Sequence, residues 1–361
     1  MNPAERIALG TTGLAVTRLG LGTAPLGGLF VPVTDAGARR TVERAYAAGL
    51  RFFDTAPLYG HGLAEERLGR ALGGKPRSEF VLATKVGRLL RAGAPPDPSQ
   101  FHDGKPFYKV TSPLNPVFDF TYDGVMRSVE ESLRRLGLDR LDILHIHDPD
   151  EHYVEALRGA YPALDRLRSD GAIAAVGVGM NQTEMLARLA RAARFDCFLV
   201  AGRYSLLDQT ALRELLPLCL ERRIAVIVGG VYNSGILADP RAGATFDYVP
   251  APAGVIERAQ RLQAACRRHG VPLKAAALQF PLGHPAVASV LIGCRSAAEV
   301  EENIRLFRTE IPTELWEQLR RDGLIPEAAP GPRSEAGRCP RRQRSPRTSI
   351  SGTRPEPITP G

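Results

Sequence analysis

Short, almost wholly apolar runs alternate with amphipathic stretches along this chain, and that alternation constrains the fold more than any single motif. The runs cover residues 19–24, 52–53, 80–84, 141–147, 173–178, 197–200, 224–228 and 287–292. Helical patterns separate them, over residues 35–49, 63–72, 123–137, 154–167, 183–192, 209–221, 253–269, 273–282 and 297–306, with a last helix over 312–322. Strands that do not alternate polar with apolar residues are buried on both faces, so these belong to a parallel sheet covered by helices. About eight such units over roughly 300 residues close on themselves as one α/β domain, a (β/α)8 TIM barrel. Residues 7–18 read as a hairpin ahead of it. An open doubly wound sheet is the alternative. Against it, Gly20, Gly22, Gly27 and Gly28 lack the spacing of a dinucleotide fingerprint after the first strand.

The pattern meets chemistry in Arg51-Phe52-Phe53-Asp54-Thr55-Ala56-Pro57-Leu58-Tyr59-Gly60. Phe52 and Phe53 end a buried strand, and Pro57 and Gly60 punctuate the loop after it. An acid and a phenol therefore leave one strand end together, and parallel α/β folds build their sites at that C-terminal rim. Alone, such an Asp is most often a cap and such a Tyr a cover for the core. Lys85 ends the third strand and His147 the fourth, and neighbouring strands lie about 5 Å apart. Singly, Lys85 reads as a surface residue and His147 as a core histidine. A carboxylate, a phenol, an ammonium and an imidazole on adjacent rims read together as a reactive group.

Charge adds little to this. The net charge is +8, but the segment from Pro326 to Gly361 holds seven Arg against three Glu, about half of the excess. The body is only mildly basic, with charges of both signs interspersed, which argues against a nucleic-acid partner. The five cysteines, Cys197, Cys219, Cys266, Cys294 and Cys339, show no metal-like or disulfide spacing and suit a reducing compartment. No metal site is expected. Residues 1–9 mix charges with apolar residues instead of forming a signal sequence, and no apolar run approaches a membrane span, so a cytoplasmic location is expected. Residues 88–120 show neither helical nor strand period. Phe101, Phe107, Tyr108, Phe118 and Phe120 favour an ordered flap there over a linker. Residues 326–361, rich in Pro, Arg, Ser and Thr, are expected to be a disordered tail, leaving residues 1–325 as the barrel domain.

At this point the chain resembles the aldo-keto reductases over about residues 5–320. The resemblance is carried by Phe53-Asp54-Thr55-Ala56-Pro57-Leu58-Tyr59-Gly60, Ala83-Thr84-Lys85, Leu141-Asp142-Ile143-Leu144-His145-Ile146-His147, Gly177-Val178-Gly179-Met180-Asn181 and Ile292-Gly293-Cys294-Arg295. The flap, His145-Ile146-His147-Asp148 and Ala201-Gly202-Arg203-Tyr204 are similar to the aldose 1-dehydrogenase branch, with pyridoxal 4-dehydrogenase nearby. This implies an oxidoreductase that passes hydride from C1 of an aldose, of L-fucose or D-threo type, to NAD(P)+ and forms a lactone. The other readings it implies are an NADPH-dependent aldehyde or ketone reductase, a pyridoxal 4-dehydrogenase, and a nicotinamide-binding regulatory subunit.

The resemblance assigns the catalytic roles to Asp54, Tyr59, Lys85 and His147, with Tyr59 as general acid and base. A free phenol has a pKa of about 10. An ammonium beside it would favour the phenolate, and a buried carboxylate would keep that ammonium charged. His147 would orient the reacting oxygen, and His145, one layer deeper, would be structural. For the cofactor, the resemblance implies Gly22, Thr23 and Asp54 at the first two strand ends and Asn181 on the carboxamide. A loop over residues 230–237, with Asn233, Ser234, Gly235 and Leu237, would wrap the pyrophosphate. Gly293, Arg295, Glu299 and Asn303 would meet the adenosine end. Two positions depart from the family pattern: Ala201 where a carboxamide-binding Gln is usual, and Gly229 where many relatives stack a Tyr on nicotinamide. Glu299 stands where an Arg often binds a 2′-phosphate, which favours NAD over NADP, since a carboxylate suits a ribose hydroxyl. The partner expected is a small sugar or aldehyde, with no membrane.

Overall fold

The computed structural model describes residues 1–332. Eight strands, β1 (Leu19–Gly22), β2 (Phe52–Asp54), β3 (Val81–Val86), β4 (Ile143–His147), β5 (Ala175–Met180), β6 (Cys197–Ala201), β7 (Ala225–Gly229) and β8 (Val287–Gly293), are buried along almost their whole length. They pair in chain order, all parallel, and β8 returns to β1, closing the barrel. Around it run α1 (Asp35–Ala47), α2 (Leu63–Leu72), α3 (Tyr122–Leu136), α4 (Tyr161–Ser169), α5 (Thr183–Ala192), α6 (Leu215–Arg222), α7 (Ala253–Arg268), α8 (Leu273–Gln279), α9 (Ala297–Arg308) and α10 (Thr313–Arg321). This is the (β/α)8 barrel that the alternation of apolar and amphipathic segments predicts. Thr34, Thr121 and Ser296 start α1, α3 and α9 by accepting a backbone N–H, the ordinary device for satisfying a helix N-terminus.

Each strand buries its two faces differently. The outer faces pack on the helices in one continuous apolar layer. The inner faces fill the barrel with Phe52, Val81, Ala83, Ile143, Ala175, Cys197, Leu199, Ala225 and Ile227. The antiparallel pair Arg6–Ala8 and Ala15–Thr17 adds Leu9 and Val16 to that same inner cluster, so the N-terminal hairpin plugs the bottom of the barrel. With the bottom sealed, open space remains at the C-terminal rim.

Four segments differ from the sequence expectation. Residues 88–120 are only partly irregular: Arg88–Ala92 pairs antiparallel with Leu114–Phe118, and Phe101–His102 with Lys105–Pro106. Pro116 inside the outer strand and charged Arg88 and Arg91 in the inner one erase the usual alternation. The turn at Asp103-Gly104, both with positive φ, is a two-residue hairpin signal that the sequence does carry. Residues 209–214 are not part of α6, because Pro217 has no N–H to donate and is tolerated only in a first helical turn. A further hairpin, Thr245–Phe246 with Val249–Pro250, turns on Asp247 and Tyr248. Residues 326–332, expected to belong to a tail, pack on the barrel instead. Ala329 is buried, its carbonyl accepts from Arg320, and the chain crosses Gly283 and Trp316. The expectation of disorder beyond residue 332 lies outside the described residues, as does Cys339. Among the described residues, no helix is long and apolar enough to cross a membrane.

Candidate active site

Register and pleat decide which side chains reach the barrel mouth. Asp54 pairs with Ala83, Lys85 with His145, and His147 with Gly179. Since side chains alternate across a strand, Asp54, Lys85, His145 and His147 share the inner face with Phe52, Ala83 and Ile143. The lysine ammonium donates to Asp54 Oδ1 at 2.6 Å and to the Thr55 carbonyl at 2.8 Å, both buried. It lies 4.7 Å from the centre of the Tyr59 ring, and the His147 ring stands edge-on to that ring at 5.9 Å. The structure therefore brings Asp54, Tyr59, Lys85 and His147 to one point.

The loop that carries Tyr59 is held by backbone contacts. Gly27 lies directly against the Tyr59 and Gly60 backbone, so close that a side chain at Gly27 or Gly60 would overlap it. Behind β3, the buried Glu65 of α2 accepts from Thr84 at 2.7 Å and from Arg135 of α3 at 2.7 Å, which ties the strand beside Lys85 to two helices. His61 Nδ1 lies 2.6 Å from the Leu114 carbonyl and so links this loop to the flap.

Burial governs the protonation of the group. It pushes the Asp54 carboxyl up, while Lys85 pulls it back. Burial, and then the Asp54 charge, raise the Tyr59 phenol well above its ordinary value. Lys85, which was expected to favour the phenolate, is paired at 2.6 Å with the Asp54 carboxylate, so the two charges oppose each other at the phenol. Burial, reinforced by Arg88, Lys85 and His145, lowers His147 well below the usual imidazole range and leaves it neutral. His145 is pushed down to about 3 by burial and Lys85. Gly177 makes room for its ring, since a Cβ there would sit 2.4 Å from His145 Nδ1.

Beside Tyr59 a cleft of about 440 Å³ crosses the rim from β2 to α9. Gly22, Asp54, Asn181, Asn233, Ser234, Gly235, Gly293, Arg295, Glu299 and Asn303 line it, as do Ala201 and Gly229. Thr23 and Leu237 do not: both are fully buried. The lining suits a dinucleotide. Glycines at four strand ends or the turns after them keep the floor low, and Asn233 and Ser234 turn in left-handed conformations. Asn233 donates to the Gly202 carbonyl at 3.1 Å, while its own buried Oδ1 has no partner. At the far end, Tyr232 donates to Asn303 Oδ1 at 2.6 Å. Arg295 donates to Glu299 through Nε and Nη2 at 3.0 and 2.6 Å, and Lys274 pairs with Glu302 at 2.8 Å.

Of the neighbours of this site, Phe30 and Tyr248 went unnoticed in the sequence, and Phe107, Tyr108 and Arg88 stood there only as parts of the flap. Phe30, Phe107 and Tyr248, from three separate loops, meet at ring distances of 5.7–6.0 Å beside the cleft. Tyr108 of the flap lies 6.3 Å from Tyr59, the two rings tilted by 30°. Arg88 and Asp148 flank His147, where the sequence offered them only as the start of the flap and the last residue of a motif shared with the aldose 1-dehydrogenase branch.

A parallel barrel with an acid, a phenol, an amine and an imidazole beside a dinucleotide-shaped cleft defines an oxidoreductase class. The chain belongs to the aldo/keto reductase family, whose pattern it matches over residues 18–321. It is 46% identical to a pyridoxal 4-dehydrogenase of Microbacterium luteolum, over 90% of this chain and 99% of that protein. It is 43% identical to a D-threo-aldose 1-dehydrogenase of a Pseudomonas species, over 88% of this chain and 98% of that one. The holo form of an aldo-keto reductase from Bacillus halodurans superposes with a TM-score of 0.67 at 26% identity, covering 88% of this chain and 95% of that one. The protein is thus an oxidoreductase of aldo-keto reductase type, and that family membership implies a nicotinamide cofactor.

Proposed function

We propose that the protein oxidises the C1 hydroxyl of a cyclic aldose to a lactone, with NAD+ as the acceptor. The observation that carries this reading is the convergence of Tyr59, His147 and the Lys85–Asp54 pair at the inner end of the cleft. A nicotinamide held along Gly22, Asn181 and Gly229 would supply the hydride acceptor at that point. Tyr59 takes the hydroxyl proton in oxidation and returns one to a carbonyl oxygen in reduction. Neutral His147 orients the reacting oxygen. Lys85, fixed by Asp54 and the Thr55 carbonyl, holds the Tyr59 ring in place. The preference for NAD rests on the adenosine end, where both lining cations, Arg295 and Lys274, are already paired with Glu299 and Glu302. A 2′-phosphate would have to displace a carboxylate to bind there.

The 46% identity to a pyridoxal 4-dehydrogenase supports a second substrate, pyridoxal, on the same machinery. One assay separates the readings. The enzyme is given NAD+ or NADP+ with L-fucose, D-arabinose, L-galactose or pyridoxal, and formation of the reduced cofactor is followed by absorbance. Turnover of an aldose, with a lower KM for NAD+ than for NADP+, is expected. Turnover of pyridoxal alone would replace the substrate, and turnover of none would sink both.

A further inference from the structure

His147 is the last residue of β4, and strand alternation would send its successor outward, away from the mouth. Asp148 does not follow that rule. Its φ of +42°, uncommon for any residue with a side chain, turns it back beside the histidine. Its Oδ2 lies 3.5 Å from His147 Nε2, and its side chain keeps 31% of its exposure, in contrast to the buried imidazole. Arg88, from the flap strand, fixes the carboxylate there. Its Nη1 donates to Asp148 Oδ2 at 3.2 Å and to the His147 carbonyl at 3.4 Å. The guanidinium stacks 4.5 Å from the centre of the Phe118 ring, and the side chain is only 5% exposed. An arginine in such surroundings has lost its freedom to swing away. The Asp148 charge also acts on the phenols of Tyr59, Tyr108 and Tyr248 and raises all three.

We propose that Asp148, held by Arg88, accepts a hydrogen bond from a substrate hydroxyl on the carbon next to the reacting one. The site then selects α-hydroxy carbonyl compounds and cyclic aldoses over simple aldehydes. An ionised carboxylate only accepts hydrogen bonds, and a hydroxyl is its natural donor. Its spacing from His147 Nε2 matches two oxygens on adjacent carbons, one at each protein group. A site built around such a bond discriminates strongly against analogues that lack the hydroxyl. The inference rests on Tyr59 and His147 marking the reacting carbon, and it does not require that the natural substrate be an aldose.

The test is the ratio of kcat/KM for glyceraldehyde to that for propanal, measured in the reducing direction with NADH and NADPH. The wild-type ratio should exceed one. Asp148→Asn keeps the shape and tolerates the left-handed turn, and should lower the ratio about tenfold, mostly through KM. Arg88→Lys, which keeps the charge but loses the fork, should lower it by a smaller factor. A wild type without preference overturns the proposal, as does an Asp148→Asn enzyme in which both substrates slow alike or neither slows. Oxidation of the aldose panel is a separate measurement. If it fails while the ratio responds, the aldose reading falls and the role of Asp148 stands. If aldoses are oxidised and the ratio does not respond, only Asp148 loses its role.

Discussion

Tyr59 sits where burial and the Asp54 carboxylate both oppose its ionisation, so its phenol keeps its proton through neutral and mildly alkaline solution. The direction of the pH effect follows. Reduction needs the protonated phenol and should hold nearly constant over about pH 6–9. Oxidation needs the phenol to accept a proton and should rise with pH, by up to about tenfold per unit below the pKa. His147 is already neutral, so neither profile should bend near the ordinary imidazole value of about 6.5. Steady-state kcat measured in both directions against pH checks both statements, and a bend there in either profile would return a charged His147 to the site. Tyr59→Phe removes the transferable proton. Turnover should fall at least ~10²-fold while cofactor binding, followed by quenching of protein fluorescence, stays close to wild type. At this scale the residue types at the strand ends were legible in the sequence, because each closes an apolar run. Asp148 was not, because its side chain reaches the site only through a backbone turn that breaks the strand period.

Between elements, the contact that positions the chemistry is backbone on backbone. The short helical turn Ala24–Gly27 after β1 presses on the loop after β2, with Gly27 against Tyr59 and Gly60. Gly60 has a φ of +63°, and a Cβ there would lie 2.4 Å from the Gly27 carbonyl oxygen. Gly60→Ala should therefore push the two loops apart and displace the phenol. A displacement near 1 Å is expected to lower kcat about 10²-fold, with a stability loss of about 1–3 kcal/mol. Comparing kcat with the denaturant midpoint separates these effects, and an unchanged kcat would mean that the contact does not set the position of Tyr59. The limits of α2 could be read from periodicity and its glycine stop at Gly73, and those of α5 from periodicity alone. The flap pairing could not, since Arg88–Ala92 and Leu114–Phe118 recognise each other across the chain and neither has a strand pattern of its own.

Over the whole molecule, the barrel is sealed at its base by the N-terminal hairpin and buttressed near α10 by residues 326–332. Ala329 is 1% exposed, Arg320 Nε and Nη2 donate to its carbonyl at 3.1 and 3.0 Å, and Gly331 rests on Trp316. A chain ending at Ile325 should thus be less stable by ~1–2 kcal/mol than one ending at Pro332, since it loses these bonds and uncovers the tryptophan. Chemical denaturation of the two chains, with intrinsic fluorescence as the probe, measures the difference. Equal midpoints would show that the segment adds nothing to stability.

The number, order and parallel sense of the strands were determined by the sequence itself, because burial on both faces writes a local, unbroken apolar signature. So was the set of ionisable groups at successive strand ends. Tertiary structure alone decided how those groups are protonated and what surrounds them. The height of the Tyr59 pKa depends on burial and on an Asp54–Lys85 pair joined across two strands. Arg88 meets Asp148 because the flap folds back over β4, and Phe30, Phe107 and Tyr248 meet because three loops from distant parts of the chain converge on the barrel mouth. Periodicity reports which face of an element is dry. It carries no record of which distant loop will cover that element, and that choice sets the field in which the chemistry takes place.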